Sequence, residues 1–181
     1  MSRIGAALRQ ARLARGFRQQ DICRKLYISD STLSGIEHGK QRLMPDVAAR
    51  AARELDDPEL YLAVAQEMTG GVMVPAMLDG PRVDLHRASV KDKTVEELSE
   101  AIEALAKARE LANARSAQDL TEQGREQVRR VLHELVEAQT ACAVGVAVLC
   151  RQYGISPAQV YREHLEELRQ KGYVRKEGRA A

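Results

Sequence analysis

The stretch from Phe17 to Lys40 (FRQQDICRKLYISDSTLSGIEHGK) constrains the fold more than any other part of this chain. Ile22 and Leu26 lie four residues apart, Leu33 and Ile36 three apart, and Ile28 stands between the two pairs. Apolar residues at such spacings mark one face of a helix. The pattern therefore predicts two short amphipathic helices crossing at a tight turn, with these five side chains as the small core that sets the crossing angle. Ser29 stands where the second helix must start and is its expected cap, so Asp30, Ser31 and Thr32 form its first turn. A helix held this way, with small polar residues on its open side, fits the major groove of DNA; the recognition helix would span about residues 29–38.

Charge supports a polyanionic partner for this end of the chain. Net charge over all 181 residues is only +2. Residues 1–45, however, hold nine Lys and Arg against Asp21, Asp30 and Glu37, a difference of 9 − 3 = +6. A local excess of this kind suits a phosphate backbone. Aromatic residues are scarce, with one Phe, five Tyr and no Trp, and the apolar content is mainly Ala, Leu and Val, which favours helix over sheet. The expected fold class is all-α.

Cys23, Cys142 and Cys150 are odd in number and form no CxxC pair, which fits a reduced cytoplasm better than a disulfide framework or a zinc site. The longest apolar run, Ala141 to Cys150, is half of what a membrane span needs, and no apolar signal core opens the chain. No membrane partner is expected.

Three zones divide the chain. Residues 1–69 read as several short helices. Residues 70–90 read as a connector marked by Gly70, Gly71, Pro75, Gly80 and Pro81; its Val72, Val74, Met77 and Leu78 are apolar enough to be expected in contact with a neighbouring domain. Residues 91–181 read as a long-helix hairpin or bundle. Val95, Leu98, Ile102 and Leu105 follow 3-4-3 spacing. A turn around Arg115–Thr121 follows, with Asp119 or Thr121 as the next cap. Val128, Leu132, Leu135, Gln139, Cys142, Val146, Leu149 and Tyr153 then repeat as four heptads, flanked by Ala138, Ala141, Ala143, Gly145 and Ala147, small enough for close helix approach. Tyr153-Gly154 ends this helix. Ser156 and Pro157 start a last one, expected to bury Val160, Tyr161, His164, Leu165 and Leu168 and to stop near Gly172. His86, His133 and His164 lie far apart and show no metal-binding spacing.

The N-terminal run resembles the lambda-repressor-like (Xre/Cro-type) helix-turn-helix. The resemblance rests on Leu8-Arg9-x-x-Arg12, Gly16, Gln19, Ile22-Cys23, Leu26, Ile28-Ser29, Ser31-Thr32-Leu33-Ser34 and Ile36-Glu37-x-Gly39-Lys40, with Val47–Leu55 as a fourth helix, and covers about residues 4–68. It implies that Gln19, Ser29, Asp30, Ser31, Thr32 and Ser34 lie at the DNA face, and that Arg12, Lys40 and Arg42 meet phosphates. Tyr27 stands where the family usually has a turn glycine, so it must accept a left-handed backbone. Gly35 removes a side chain that often reads a base, and Asp30 would face phosphates unless it accepts from a cytosine amino group.

The last zone also bears a looser resemblance. Glu96-Glu97-x-x-Glu100 and Glu134-x-x-Glu137, followed by Tyr-Gly-Ile-Ser and an amphipathic helix, are similar to the all-α MazG-like nucleotide pyrophosphohydrolases. That resemblance implies Mg²⁺ held by Glu96, Glu97, Glu100, Glu134 and Glu137, although Glu137 stands where the family carries Asp.

The favoured expectation is a non-enzymatic, cytoplasmic, sequence-specific regulator of transcription that binds double-stranded DNA as a homodimer, without a cofactor. Its competitors are a Mg²⁺-dependent pyrophosphohydrolase joined to a DNA-binding domain, and an antitoxin-type module whose C-terminal helices grip a partner. A nucleotide or protein effector is open.

Overall fold

The structure is a computed structural model; it describes residues 3–76, 78, 80–108, 114 and 116–175, so Met77 and Arg115 of the expectations above lie outside it. Among these residues every regular element is helical, as expected. Two compact units appear: residues up to Val72 together with those from Cys150 onward, and Met73–Leu149.

In the first unit, α1 (Arg3–Ala14), α2 (Gln19–Leu26), α3 (Asp30–Glu37), α4 (Pro45–Leu55) and α5 (Pro58–Thr69) follow in close succession. Local chemistry sets their ends. Pro45 and Pro58 open α4 and α5, where the missing amide hydrogen costs nothing. The Asp57 carboxylate accepts from the Leu60 amide at 3.0 Å. Gly70, at φ 64°, closes α5 in the left-handed region. One core joins the five helices: Leu8 of α1, Ile22 and Leu26 of α2, Leu33 and Ile36 of α3, Leu55 of α4 and Leu60 of α5 are all fully buried or nearly so. Four of the five residues expected to fix the helix crossing are therefore core; Ile28, in the turn, is half-buried. Burying a Leu or Ile side chain contributes roughly 1.5–3 kcal/mol, so this handful of residues dominates the stability of so small a core.

The C-terminal segment, from Cys150 onward, joins this unit. Arg151 is the reason. Its guanidinium donates to Asp57 at 3.1 Å and also to Glu59, and the Asp56 carboxylate accepts from the Ala158 amide at 3.2 Å. The last helix, α8 (Pro157–Gln170), starts on the expected Ser156 cap, which accepts from the Gln159 amide at 3.0 Å. Its apolar stripe is not buried as expected: Val160, Tyr161 and Leu165 are exposed. The segment is held at its start by ion pairs and a backbone contact, where Cys150 and Pro157 are buried.

The second unit contains an antiparallel pair, α6 (Arg87–Lys107) and the body of α7 (Glu122–Tyr153). Thr121 caps α7, its hydroxyl accepting from the Gly124 amide at 3.1 Å; Gly154, at φ 64°, ends it. Thr94 donates to the Ala141 carbonyl at 3.3 Å, and a methyl group on Gly145 would meet the Thr94 hydroxyl at 3.4 Å. Val90 and Ala101 of α6 and Ala108 just after it are buried, as are Val131 and Ala138 of α7. The small residues do bring the helices close. The larger heptad residues, in contrast, are not the seam between them: Val95, Leu98, Ile102, Leu105, Leu132, Leu135 and Leu149 are all exposed. In the connector, Val72 and Leu78 are exposed as well, contrary to the packing expected of them. α7 is the one helix among the described residues long and apolar enough, by length and composition, to cross a membrane, with a window of mean hydropathy 1.3. A count of uninterrupted apolar residues does not register it, because isolated polar residues such as Gln139 break the run without lowering the average much.

Candidate nucleic-acid interface

Everything that positions α3 is built from short-range chemistry. Tyr27 ends α2 at φ 55°, ψ 45°, the left-handed conformation expected of a residue replacing glycine there. Its side chain projects into solvent, where the Arg50 guanidinium lies 5.2 Å above the ring. Arg50 also donates to the Leu26 carbonyl at 2.8 Å, satisfying a helix-end acceptor. A left-handed non-glycine residue costs on the order of 1–2 kcal/mol; the stacked guanidinium offsets part of that.

Ser29 caps α3 as expected, its hydroxyl accepting from the Thr32 amide at 3.1 Å. The same hydroxyl lies 2.9 Å from that of Ser31 and 2.8 Å from that of Thr32. Ser29, Asp30 and Ser31 are exposed, and Thr32 and Ser34 half-buried. The open first turn of α3 is thus a patch of hydroxyls able to donate or accept, with Asp30 favourably placed at the positive end of the helix. Asp30 is also engaged on its inner side. Burial, followed by the hydrogen bond to Asp30, pushes the Cys23 thiol up to about 11, which keeps it protonated and unreactive.

Arg12 sits elsewhere than expected, whereas Gln19 is half-exposed at the start of α2. Arg12 is 6% exposed. Its guanidinium grips Glu37 with two hydrogen bonds, at 2.7 and 3.0 Å, and donates a third to the Phe17 carbonyl at 2.8 Å. Gln19 donates to the second Glu37 oxygen at 3.0 Å. Arg12 is therefore a strut between α1 and α3 and not a surface cation for phosphate. Gln19 holds the start of α2 against the end of α3. Burial pushes the Glu37 carboxyl up, but the hydrogen bonds from Arg12 and Gln19 outweigh it and hold the group below its ordinary value.

Lys40 and Arg42 follow α3 and are exposed; Arg42 pairs loosely with Glu67 at 3.3 Å. Between them stands a residue that sequence reasoning passed over. A methyl group on Gly35 would lie 2.9 Å from both Cγ and Cδ of Gln41. The amides of Lys40 and Gln41 both donate to the Gly35 carbonyl, at 2.7 and 3.0 Å, which folds the chain back over the helix. The Gln41 side chain thus fills the gap left by Gly35, one turn beyond Ser31 on the same face. The signal was in the sequence as Gly35 with a Gln six residues later, but only the return of the chain makes it meaningful.

The C-terminal carboxylates do not converge as the pyrophosphohydrolase resemblance implies. Glu97 and Glu137 line one cavity; Glu100 and Glu134 line another. Lys93 bridges Glu96 and Glu97 at 3.1 and 2.8 Å, and Arg130 lies 3.9 Å from Glu134. Among the described residues, no group of three or more acidic, His or Cys side chains is placed to hold a metal ion.

No curated protein and no solved structure matches this chain. A family model described as a helix-turn-helix domain matches residues 3–57, a stretch that ends before the zone carrying the pyrophosphohydrolase resemblance. With α2 and α3 crossing over a shared core and α3 capped and open at its first turn, residues 3–57 are a helix-turn-helix domain.

Proposed function

We propose that the protein is a cytoplasmic transcriptional regulator that binds double-stranded DNA sequence-specifically as a homodimer, with α3 in the major groove. The observation that carries this reading is the exposed, capped first turn of α3, Ser29 to Thr32, braced from behind by the Arg12–Glu37–Gln19 network within a matched helix-turn-helix domain. The contact set is Ser29, Asp30, Ser31, Thr32 and Ser34 on α3, with Gln41 over Gly35, and Lys40 and Arg42 at phosphates. A Gln amide can bond both N6 and N7 of adenine, whereas Ser and Thr read bases or phosphates alike. Gln41 is therefore the strongest single base reader in the set.

A homodimer is favoured because one short helix reads too few base pairs, and the exposed heptad face of α6 and α7 offers a surface for pairing. Selection of bound DNA from a random pool with the full-length protein tests the whole reading. The expected result is an enriched inverted repeat whose half-site centres lie about one helical turn, or a multiple of it, apart. Repeating the selection with Gln41→Ala should relax one position per half-site, with a loss of about 1–3 kcal/mol at that base pair. A pool that stays random would sink the proposal.

A further inference from the structure

His38 closes α3 and follows Ser31, Ser34 and Gly35 at the spacing of one helix face. It is exposed, yet its ring is fixed. Nδ1 lies 2.7 Å from the Ser34 carbonyl oxygen. A carbonyl oxygen only accepts, so Nδ1 carries a proton and donates it. The Ser34 hydroxyl, 3.5 Å from the same nitrogen, is too distant to reverse the roles. With Nδ1 committed, the charge of the ring is decided at Nε2, which has no partner among the described residues. In the neutral ring Nε2 is a bare lone pair. Only in the imidazolium does it donate.

The charged groups nearby leave that nitrogen to an outside anion. On α3 itself, Glu37 is turned inward onto Arg12 and Gln19. From α1, Arg9 and Arg12 both act on that same carboxylate, and α2 contributes only the neutral Gln19 to it. The chain leaving α3 brings Lys40 and Arg42, and Glu67 of α5 lies 3.3 Å from Arg42. Among the described residues, no carboxylate pairs with His38. A phosphate oxygen meets a neutral Nε2 lone pair to lone pair, whereas it meets the imidazolium through a charge-assisted hydrogen bond. Imidazole is also the side chain that changes charge near neutral pH.

We infer that His38 is a phosphate contact made only by the protonated ring, so that each protomer takes up a proton as it binds DNA; this rests on the seating of α3 proposed above.

Fluorescence anisotropy of the full-length protein on a duplex carrying the enriched repeat, at pH about 6 and about 8, tests the proton link. The parent should bind about fivefold tighter per protomer at the lower pH, and its salt slope there should be steeper by up to about 0.9 per protomer. His38→Gln should bind equally at both pH values, at the weaker level. His38→Lys should also lose the pH dependence but keep the tighter level, because its charge does not titrate in that range. A residue that only capped α3 would alter the melting temperature in these variants and leave the pH dependence of binding intact. On the parent alone, the ring proton resonances of His38 should titrate at higher pH in the complex than in the free protein, which decides the matter if a variant fails to fold. Identical titrations overturn the proton link, as does a pH dependence that survives His38→Gln, which would assign the proton to His86, His133 or His164. Equal binding by the parent at both pH values overturns it too, being the behaviour of a neutral ring that accepts from a base amino group. A pool that stays random removes the seating of α3 itself, and the contact with it.

Discussion

Arg12 and Glu37 lie 25 residues apart, and neither residue's role can be read without the other. Taken by itself, an Arg in a basic N-terminal segment reads as a phosphate contact, and a Glu near the end of a recognition helix reads as surface. Together they form a buried, two-pronged ion pair, with Gln19 donating to Oε2 as well. Local chemistry was legible in the same region: the Ser29 cap depends only on residues within a turn of itself. The pair was not legible because its physics is non-local. It has a measurable consequence in acid. The Glu37 carboxyl is held below its ordinary value in the folded state, so its contribution is fully present above the unfolded-state pKa and is lost as pH falls through the folded one. Glu37→Gln should be less stable than the parent at neutral pH by about 3–5 kcal/mol, because it leaves Arg12 buried without a counter-charge. It should also lose less stability than the parent between neutral pH and pH about 3, since Gln does not titrate in that range. Thermal denaturation of both proteins across that range measures the two slopes, and parallel slopes would remove Glu37 from the acid response.

The α6–α7 hairpin makes the corresponding point about elements. The heptads of Leu, Ile and Val were plain in the sequence, but they led to the wrong seam. The helices touch through Ala101, Ala138, Gly145 and Thr94, residues too small to give a strong periodic signal. At about 100° per residue, the larger stripe sits roughly a quarter-turn around each helix from that contact. Because the helices are antiparallel, a quarter-turn in the same sense on both brings the two stripes to one side of the hairpin. Ile102, at 66% exposed, and Leu132, at 56%, belong to this face, with Leu98, Leu105 and Leu135 around them. A second hairpin laid on it would make a four-helix bundle whose core follows the heptad period. If the protein pairs as proposed, Ile102→Glu combined with Leu135→Glu should therefore leave helical content unchanged, because neither side chain is buried in the single chain, and should yield a monomer. Sedimentation equilibrium, paired with circular dichroism, checks this; a double variant that still sediments as a dimer would place the contact elsewhere. The same variant should bind its DNA site more weakly, since two half-sites would no longer be read at once.

For the whole molecule, a net charge of +2 understates how it would meet DNA, because the positive excess is confined to the first 45 residues. Only part of that excess can reach a phosphate. Arg12 is spent on Glu37, Arg15 donates to the Leu55 carbonyl at 2.8 Å, Arg24 pairs with Asp21, and Lys25 with Glu54. Exposed pairs of the latter kind are worth about 0–1 kcal/mol and can be exchanged for a phosphate, but the buried one cannot. Binding should weaken steeply with salt, and each neutralised phosphate contributes about 0.9 to the slope of log K against log salt. Lys40→Ala is expected to reduce that slope by about one per protomer, and Arg42→Ala by somewhat less, since its pairing with Glu67 already competes. Arg12→Lys separates the two possible roles of that residue. It keeps the charge but loses the planar fork that matches a carboxylate, so a phosphate contact would survive the change and a strut would not. The expected outcome is a lower melting temperature with an unchanged salt slope, measured by thermal denaturation and by DNA titration at several salt concentrations. An unchanged melting temperature would return Arg12 to the DNA surface and leave Glu37 to Gln19.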